Sequence, residues 1–167
     1  MRRHQILVLA LTETRERQFV TTELAEGFNY CSTANNSGVG GVGFIVDKAK
    51  SAFTFSPVSE RLATLRLTVS GLTLGLVVVY APTEHASSRA KSRFFKAIRQ
   101  QFQSLVRSCE HVVILEDFNC ELGNDVEGTP AVRDAFAREA VSSENAIRVE
   151  EATCHRSNGK LVSLHHL

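Results

Sequence analysis

Two β-rich runs joined by a two-residue turn constrain the fold of this chain more than any other feature. Residues 61–69 and 72–80 are rich in Leu, Val and Thr, and Ser70 and Gly71 separate them. This spacing predicts a β-hairpin, because glycine readily takes the positive φ that two-residue turns require. The sequence therefore predicts an antiparallel strand pair whose second strand stops at Ala81 and Pro82.

Other apolar segments complete a mixed α/β pattern. Short runs predict strands over residues 5–12, 41–46, 52–55, 112–115, 148–154 and 161–164. Apolar residues at helical spacing predict a long amphipathic helix over residues 88–109. Two more helices are predicted, one over residues 17–27 and one starting at Thr129 and Pro130, which suit an N-cap and a first helical position. Both hairpin and crossover connections occur, so we expect a layered α/β sandwich that forms one domain over residues 1–167.

Composition excludes several classes of protein. The 167 residues are 43% hydrophobic and 22% charged, which argues against a disordered chain, a coiled coil or a collagen-like repeat. A net charge of +1 produces no strong overall field. The apolar runs are too short to span a membrane, and residues 6–11 are a strand rather than a signal peptide because no small-residue cleavage site follows them. Four cysteines without a Cys-x-x-Cys pair predict a reduced, intracellular protein.

Polar side chains suited to catalysis follow three of the predicted strands. Glu13 follows the first, Tyr80 ends the hairpin, and Asp117 and Asn119 follow the run at 112–115. Sites in α/β sheets collect at the carboxyl ends of strands, so we expect these residues to converge. The carboxylate and amide oxygens of Glu13, Asp117 and Asn119 are ligands that Mg²⁺ accepts, with water completing the shell. Each residue taken alone is explained as well by a polar strand end facing solvent, but three coinciding strand ends favour a site.

Four segments, in this order, resemble motifs of the endonuclease/exonuclease/phosphatase superfamily, whose fold is typified by deoxyribonuclease I. They are LTETR at residues 11–15, GGVGF at 40–44, VYAPT at 79–83 and LEDFNCELG at 115–123. The resemblance covers nearly the whole chain. It is strongest to the apurinic-type endonuclease domains of non-LTR retrotransposons and their domesticated, craniofacial-development-protein-like relatives.

The resemblance implies a four-layer α/β sandwich and a hydrolase, a phosphodiesterase that uses Mg²⁺ or Mn²⁺ to cleave DNA. It implies that Glu13 binds the metal and that Tyr80 lies beside the scissile phosphate. Asp117 would orient or deprotonate the attacking water, and Asn119 would hold the phosphate or that carboxylate. Thr83 and Thr153 would line the site. DNA is thus the expected partner, and no protein partner is identifiable.

Departures from the family pattern predict weak or no hydrolysis by this chain. We expect the domain to be incomplete at both ends, because the family's first strand with its Asn ligand and the terminal Ser-Asp-His motif are not recognised here. SLHH stands at residues 163–166 near the family's Asp-His pair, and Glu116 replaces a motif glycine, which adds repulsion beside Asp117. The alternative is a non-catalytic relic or fragment that binds nucleic acid or a protein partner.

Three other signals are weighed against simpler explanations. The glycines of residues 38–43 suggest a dinucleotide loop, but no strand precedes them and no helix follows. Cys154 and His155 with the two histidines at 165–166 suggest zinc, but their spacing fits no standard finger. The predicted long helix carries basic residues that suit a phosphate-binding face or, more simply, a solvated face: Arg89, Lys91, Arg93, Lys96, Arg99 and Arg107.

Overall fold

A computed structural model describes residues 1, 6–38, 40–83, 85–117 and 161–163. Within these ranges the chain forms two β-sheets and one α-helix. In chain order the elements are β1 (Val8–Thr12), β2 (Val20–Glu23), β3 (Phe28–Ser32), β4 (Val42–Asp47), β5 (Ala52–Ser59), β6 (Leu62–Val69), β7 (Leu72–Tyr80), α1 (Ser88–Val106), β8 (His111–Asp117) and β9 (Leu161–Ser163). The protein is therefore a mixed α/β fold, as expected.

The first sheet has five antiparallel strands in the order β2-β3-β4-β1-β9. β1 lies inside this sheet, where Ala10 pairs with Phe44 on one side and with Val162 on the other. The strands predicted over residues 5–12 and 161–164 therefore form, as β1 and β9, and they pair with each other. This arrangement leads β1 out of the sheet at Thr12, directly before Glu13.

The second sheet has four strands in the order β5-β6-β7-β8. β6 and β7 form the predicted hairpin, and both turn residues have positive φ, 50° at Ser70 and 87° at Gly71. β7 and β8 are parallel, with α1 as the crossover between them. The helix begins where the Ser87 hydroxyl accepts a hydrogen bond from the Ala90 amide at 3.2 Å. The hairpin and the crossover bring the carboxyl ends of β7 and β8 side by side.

The two sheets face each other across one apolar core. Phe44 of the first sheet and Leu65, Leu76 and Leu115 of the second belong to this core and are at most 4% exposed. Helix α1 covers the other face of the second sheet with its buried residues Phe94, Ile98 and Leu105. Alternate residues of β7 and β8 therefore point to the opposite sheet or to the helix, as period-two strands require.

The helix predicted over residues 17–27 is wrong. This segment instead forms β2 and a short 3₁₀ turn, Ala25–Gly27, which positive φ at Glu26 and Gly27 prevents from continuing. Its large apolar side chains, Phe19 and Leu24, are exposed, so they form no buried stripe that would favour a helix. Pairing of β2 with β3 determines the local structure. β3 itself was not expected from the sequence.

Element boundaries differ modestly elsewhere. β5 runs past the expected end to Ser59 and includes Pro57, which an edge strand tolerates where the register shifts. Helix α1 ends at Val106, three residues before the expected Cys109. The predicted elements at Thr129 and at residues 148–154 lie outside the described residues. No helix within the described ranges is both long and apolar enough to cross a membrane.

Candidate functional site

Glu13 leaves β1 in a conformation that turns the chain sharply. Glu13 has a φ of 53° and Arg15 a φ of 57°, both in the left-handed region. The segment between them is held by hydrogen bonds from the Thr14 amide to the Gly41 carbonyl at 3.2 Å and from the Arg15 amide to the Gly40 carbonyl at 2.8 Å. The Glu13 carboxylate is thus carried on a fixed loop.

The glycines that precede β4 fit closely against this loop. Gly40 and Gly41 both have positive φ, 82° and 93°. A Cβ on Gly41 would collide with Thr14 Oγ1, and a Cβ on Gly40 would lie 3.7 Å from the ring of Tyr80. The glycine-rich segment therefore allows close packing at this end of the sheets. It leads into a strand rather than a helix, consistent with setting the dinucleotide interpretation aside.

Tyr80 closes β7 and reaches across to the first sheet. The residue is 9% exposed, and its hydroxyl donates a hydrogen bond of 2.9 Å to Glu13 Oε1. The guanidinium carbon of Arg61 lies 5.0 Å from the centre of the ring. Arg61 Nη1 also donates to the carbonyl oxygens of Tyr80 at 3.4 Å and Ala81 at 3.0 Å. Residues 67 positions apart in the chain are thereby joined through their side chains.

Asp117 lies beside Tyr80 at the end of the neighbouring strand. The parallel register pairs Leu76 with Val113, Val78 with Leu115 and Tyr80 with Asp117. The first two pairs belong to the core between the sheets, as does Tyr80. Paired residues of parallel strands share a face, so Asp117 occupies the next position on that face, partly buried at its rim. The amide of Ala81 donates to the Asp117 carbonyl at 2.9 Å and continues the ladder.

The environment of Glu13 favours its charged form. The hydrogen bond from Tyr80 is the largest cause that lowers the pKa of this carboxyl group, and the hydrogen bond from Arg15 is the next, against a smaller opposing effect of burial. Arg15 Nη2 lies 3.1 Å from Glu13 Oε2, and the two side chains are 70% and 39% exposed. An ion pair this exposed contributes little to stability, so Arg15 is easily displaced from Oε2.

The carboxylates at this end of the sheets could act as ligands for a hard cation only together with water. Within the described part of the chain, no group of three or more His, Cys, Asp or Glu residues is arranged to hold a metal ion. Glu13 and Asp117 nevertheless offer carboxylate oxygens at the same end of the sheets, and Mg²⁺ is commonly bound by one or two carboxylates with several waters. The cysteine and histidines weighed for zinc, Cys154, His155 and the pair at 165–166, lie outside the described residues.

The predicted site residues divide into three groups. The structure brings Glu13, Tyr80 and Asp117 to one end of the two sheets. Thr83 is exposed in the loop between β7 and α1, where its carbonyl accepts a hydrogen bond from the Ala86 amide at 2.9 Å. Asn119 and Thr153 lie outside the described residues.

The basic residues of α1 lie on its solvent side. Four of the five basic residues in the helix and the C-cap residue Arg107 are exposed, and Lys91 is partly buried, while the apolar stripe faces the sheet. This arrangement agrees with a solvated face.

Sequence reasoning did not identify Arg61 or Arg15 as members of the site. The signal for Arg61 was present in the hairpin. Once Ser70 and Gly71 form a two-residue turn, the register places Arg61 opposite Tyr80, whose amide donates to the Arg61 carbonyl at 2.9 Å. Arg15 gave no such signal, because its approach to Glu13 depends on a positive φ at both Glu13 and Arg15.

Comparison with protein-family models gave no match, and comparison with curated proteins gave none either.

Proposed function

We propose that this chain is a Mg²⁺-dependent phosphodiesterase that acts on DNA, with the α/β sandwich of the deoxyribonuclease I-like class. One observation supports this most strongly. Tyr80 donates a hydrogen bond to Glu13 and stands in register with Asp117, so residues from three separate motif segments lie together at one end of the sheets. Segments so far apart in the chain would not need to meet if each merely ended a strand in solvent.

Glu13 is the proposed metal ligand. Its carboxylate is ionised at neutral pH, and its Oε2 atom is engaged by the exposed Arg15 side chain alone among the contacts of the described residues. Tyr80 would keep the other oxygen, Oε1, in place while a cation approaches Oε2. A bound Mg²⁺, or Mn²⁺ in its place, would supply Lewis-acid stabilisation of charge on the phosphate oxygens.

Asp117 is the proposed group that prepares the attacking water. A carboxylate at the rim of the core, next to Tyr80, can accept a proton from water when a phosphate lies beside the phenol. Asn119, which follows two positions later, is proposed to steady the phosphate or this carboxylate. Thr83 and Thr153 are proposed to line the site.

The expected rate of hydrolysis is low. Both oxygens of the Glu13 carboxylate already accept hydrogen bonds from protein groups, and the Arg15 charge repels an incoming cation. The same observation favours the second candidate function, a non-catalytic module that binds nucleic acid. In that case Arg15 would be a permanent partner of Glu13, and DNA binding would not depend on a divalent metal.

A plasmid-nicking assay tests the proposal. The full chain is incubated with supercoiled plasmid and with a duplex containing one abasic site, with Mg²⁺ or with EDTA. Asp117→Ala is run in parallel, with Glu23→Gln as a control because Glu23 forms a similarly exposed ion pair with Lys48 at 3.0 Å, outside the site.

Slow nicking that needs Mg²⁺, disappears in Asp117→Ala and persists in Glu23→Gln supports the proposed function. Equal nicking by all three proteins indicates a contaminating nuclease and refutes it. Metal-independent DNA binding without nicking supports the non-catalytic candidate instead.

A further inference from the structure

Arg61 is a partly buried arginine at the site to which the proposed chemistry assigns no role. It lies immediately before β6, opposite the last residue of β7. Its guanidinium group contacts Tyr80 in two ways, through the face of the ring at 5.0 Å and through the carbonyl oxygen at 3.4 Å. A further hydrogen bond of 3.0 Å to the Ala81 carbonyl fixes the guanidinium beyond the strand end.

These contacts restrain the orientation of the phenol. The position of a tyrosine hydroxyl depends on the backbone and on two side-chain torsions. Arg61 holds the backbone through two carbonyl groups and the ring through its π face. In the segment before β4, a Cβ at Gly40 would lie only 3.7 Å from Cε1 of the same ring. The hydroxyl is thereby directed to Glu13 Oε1, 2.9 Å away.

We propose that Arg61 is a positioning residue that holds the Tyr80 hydroxyl on the Glu13 carboxylate. The planar guanidinium suits this task because it donates to carbonyl oxygens in its own plane while stacking on an aromatic ring, which the compact ammonium of lysine does not reproduce. The inference rests on the proposed function for the meaning of the Glu13–Tyr80 pair. Its test does not require hydrolysis, so a failure of this inference can be distinguished from a failure of the proposed function.

Tyrosine fluorescence gives a direct measurement of this hydrogen bond. The chain has two tyrosines and no tryptophan, so the Tyr30→Phe variant emits from Tyr80 alone. A carboxylate that accepts the phenolic hydrogen bond quenches tyrosine emission. Glu13→Gln in this background, measured in EDTA, therefore calibrates the emission of Tyr80 without the carboxylate. Arg61→Met is then compared with Arg66→Met. Arg66 lies in β6, and its replacement removes a 2.8 Å hydrogen bond to Ser108 instead.

Arg61→Met is expected to recover most of the emission increase seen in Glu13→Gln, whereas Arg66→Met leaves emission unchanged. The double variant Arg61→Met/Glu13→Gln is expected to match Glu13→Gln, because both changes remove the same interaction. Unchanged emission in folded Arg61→Met, or fully additive increases in the double variant, would overturn the proposal. If Arg61→Met lacks a cooperative melt, Arg61→Lys takes its place. Lysine retains the charge and the aliphatic stem, so Arg61→Lys is expected to give a smaller increase in Tyr80 emission. If Arg61→Lys gives no increase, the proposal is overturned.

Discussion

Replacing Gly41 by alanine should destabilise the protein more than replacing Gly71 by alanine, although both positions have a positive φ of nearly the same size. Their φ values are 93° and 87°, and an L-residue with positive φ costs about 1–2 kcal/mol at either position. A Cβ on Gly71 would meet nothing within 4 Å. The Gly71→Ala variant therefore measures the backbone cost alone.

At Gly41 the same methyl group would also collide with Thr14 Oγ1 and lie 3.3 Å from the Arg15 amide nitrogen. The Thr14 hydroxyl is itself hydrogen-bonded to Ser32 Oγ at 2.6 Å, so it cannot turn away without losing that contact. Overpacking of this kind costs about 1–3 kcal/mol. We expect a total loss of about 2–5 kcal/mol for Gly41→Ala, against a typical domain stability of about 5–15 kcal/mol.

Urea unfolding followed by far-ultraviolet circular dichroism measures the difference, since the chain has no tryptophan to report it. The urea concentration at the unfolding midpoint should fall further for Gly41→Ala than for Gly71→Ala. The slope of the unfolding free energy against urea concentration should stay the same. In a Thr14→Ala background the loss at Gly41 should shrink toward that at Gly71. Equal midpoints for the two single variants, or no relief by Thr14→Ala, would refute the proposed contact between the glycine segment and the Glu13 loop.

Three further changes test the electrostatics and the helix. Tyr80→Phe should raise the Glu13 pKa toward its ordinary value in a ¹³C NMR titration. The pKa of Glu13 is lower in the folded state than in the unfolded state. Its contribution to stability is therefore present at pH values above the unfolded-state pKa and is lost as the pH falls through the folded-state pKa. Tyr80→Phe should weaken this loss of stability at acid pH. Arg15→Gln should raise the affinity for Mn²⁺ several-fold, since it removes a cation that competes for Glu13 Oε2; unchanged affinity would contradict this. Ser87→Ala should destabilise α1 by about 1 kcal/mol through loss of the cap on the Ala90 amide, as thermal unfolding would show.

The sequence predicted the structure best where a single local rule determines the conformation. The turn at Ser70 and Gly71 was recognisable because a two-residue turn needs positive φ, and its register then placed the strand ends. Helix α1 followed from the spacing of Phe94, Ile98 and Leu105. In both cases the pattern and the tertiary packing agree.

Prediction failed where neighbouring elements decided the outcome. Residues 17–27 contain good helix formers, but pairing with Phe28–Ser32 converts part of the segment into an edge strand. In the candidate site, Glu13 and Tyr80 could be singled out as residues that follow or end buried strands. Their contact depends on the sharp turn after Thr12 and on how closely the two sheets approach, which no local pattern specifies.

Binding of Mn²⁺ measured by electron paramagnetic resonance tests most directly whether Glu13 and Asp117 form a divalent-metal site. The full chain, Glu13→Gln, Asp117→Asn and the control Glu23→Gln are titrated with Mn²⁺, and Mg²⁺ is then added as a competitor. We predict one weak site that Mg²⁺ displaces, which is lost in Glu13→Gln, weakened in Asp117→Asn and unchanged in Glu23→Gln. Absence of binding by the unaltered chain, or binding that survives Glu13→Gln undiminished, would contradict a metal-dependent phosphodiesterase site at this end of the sheets.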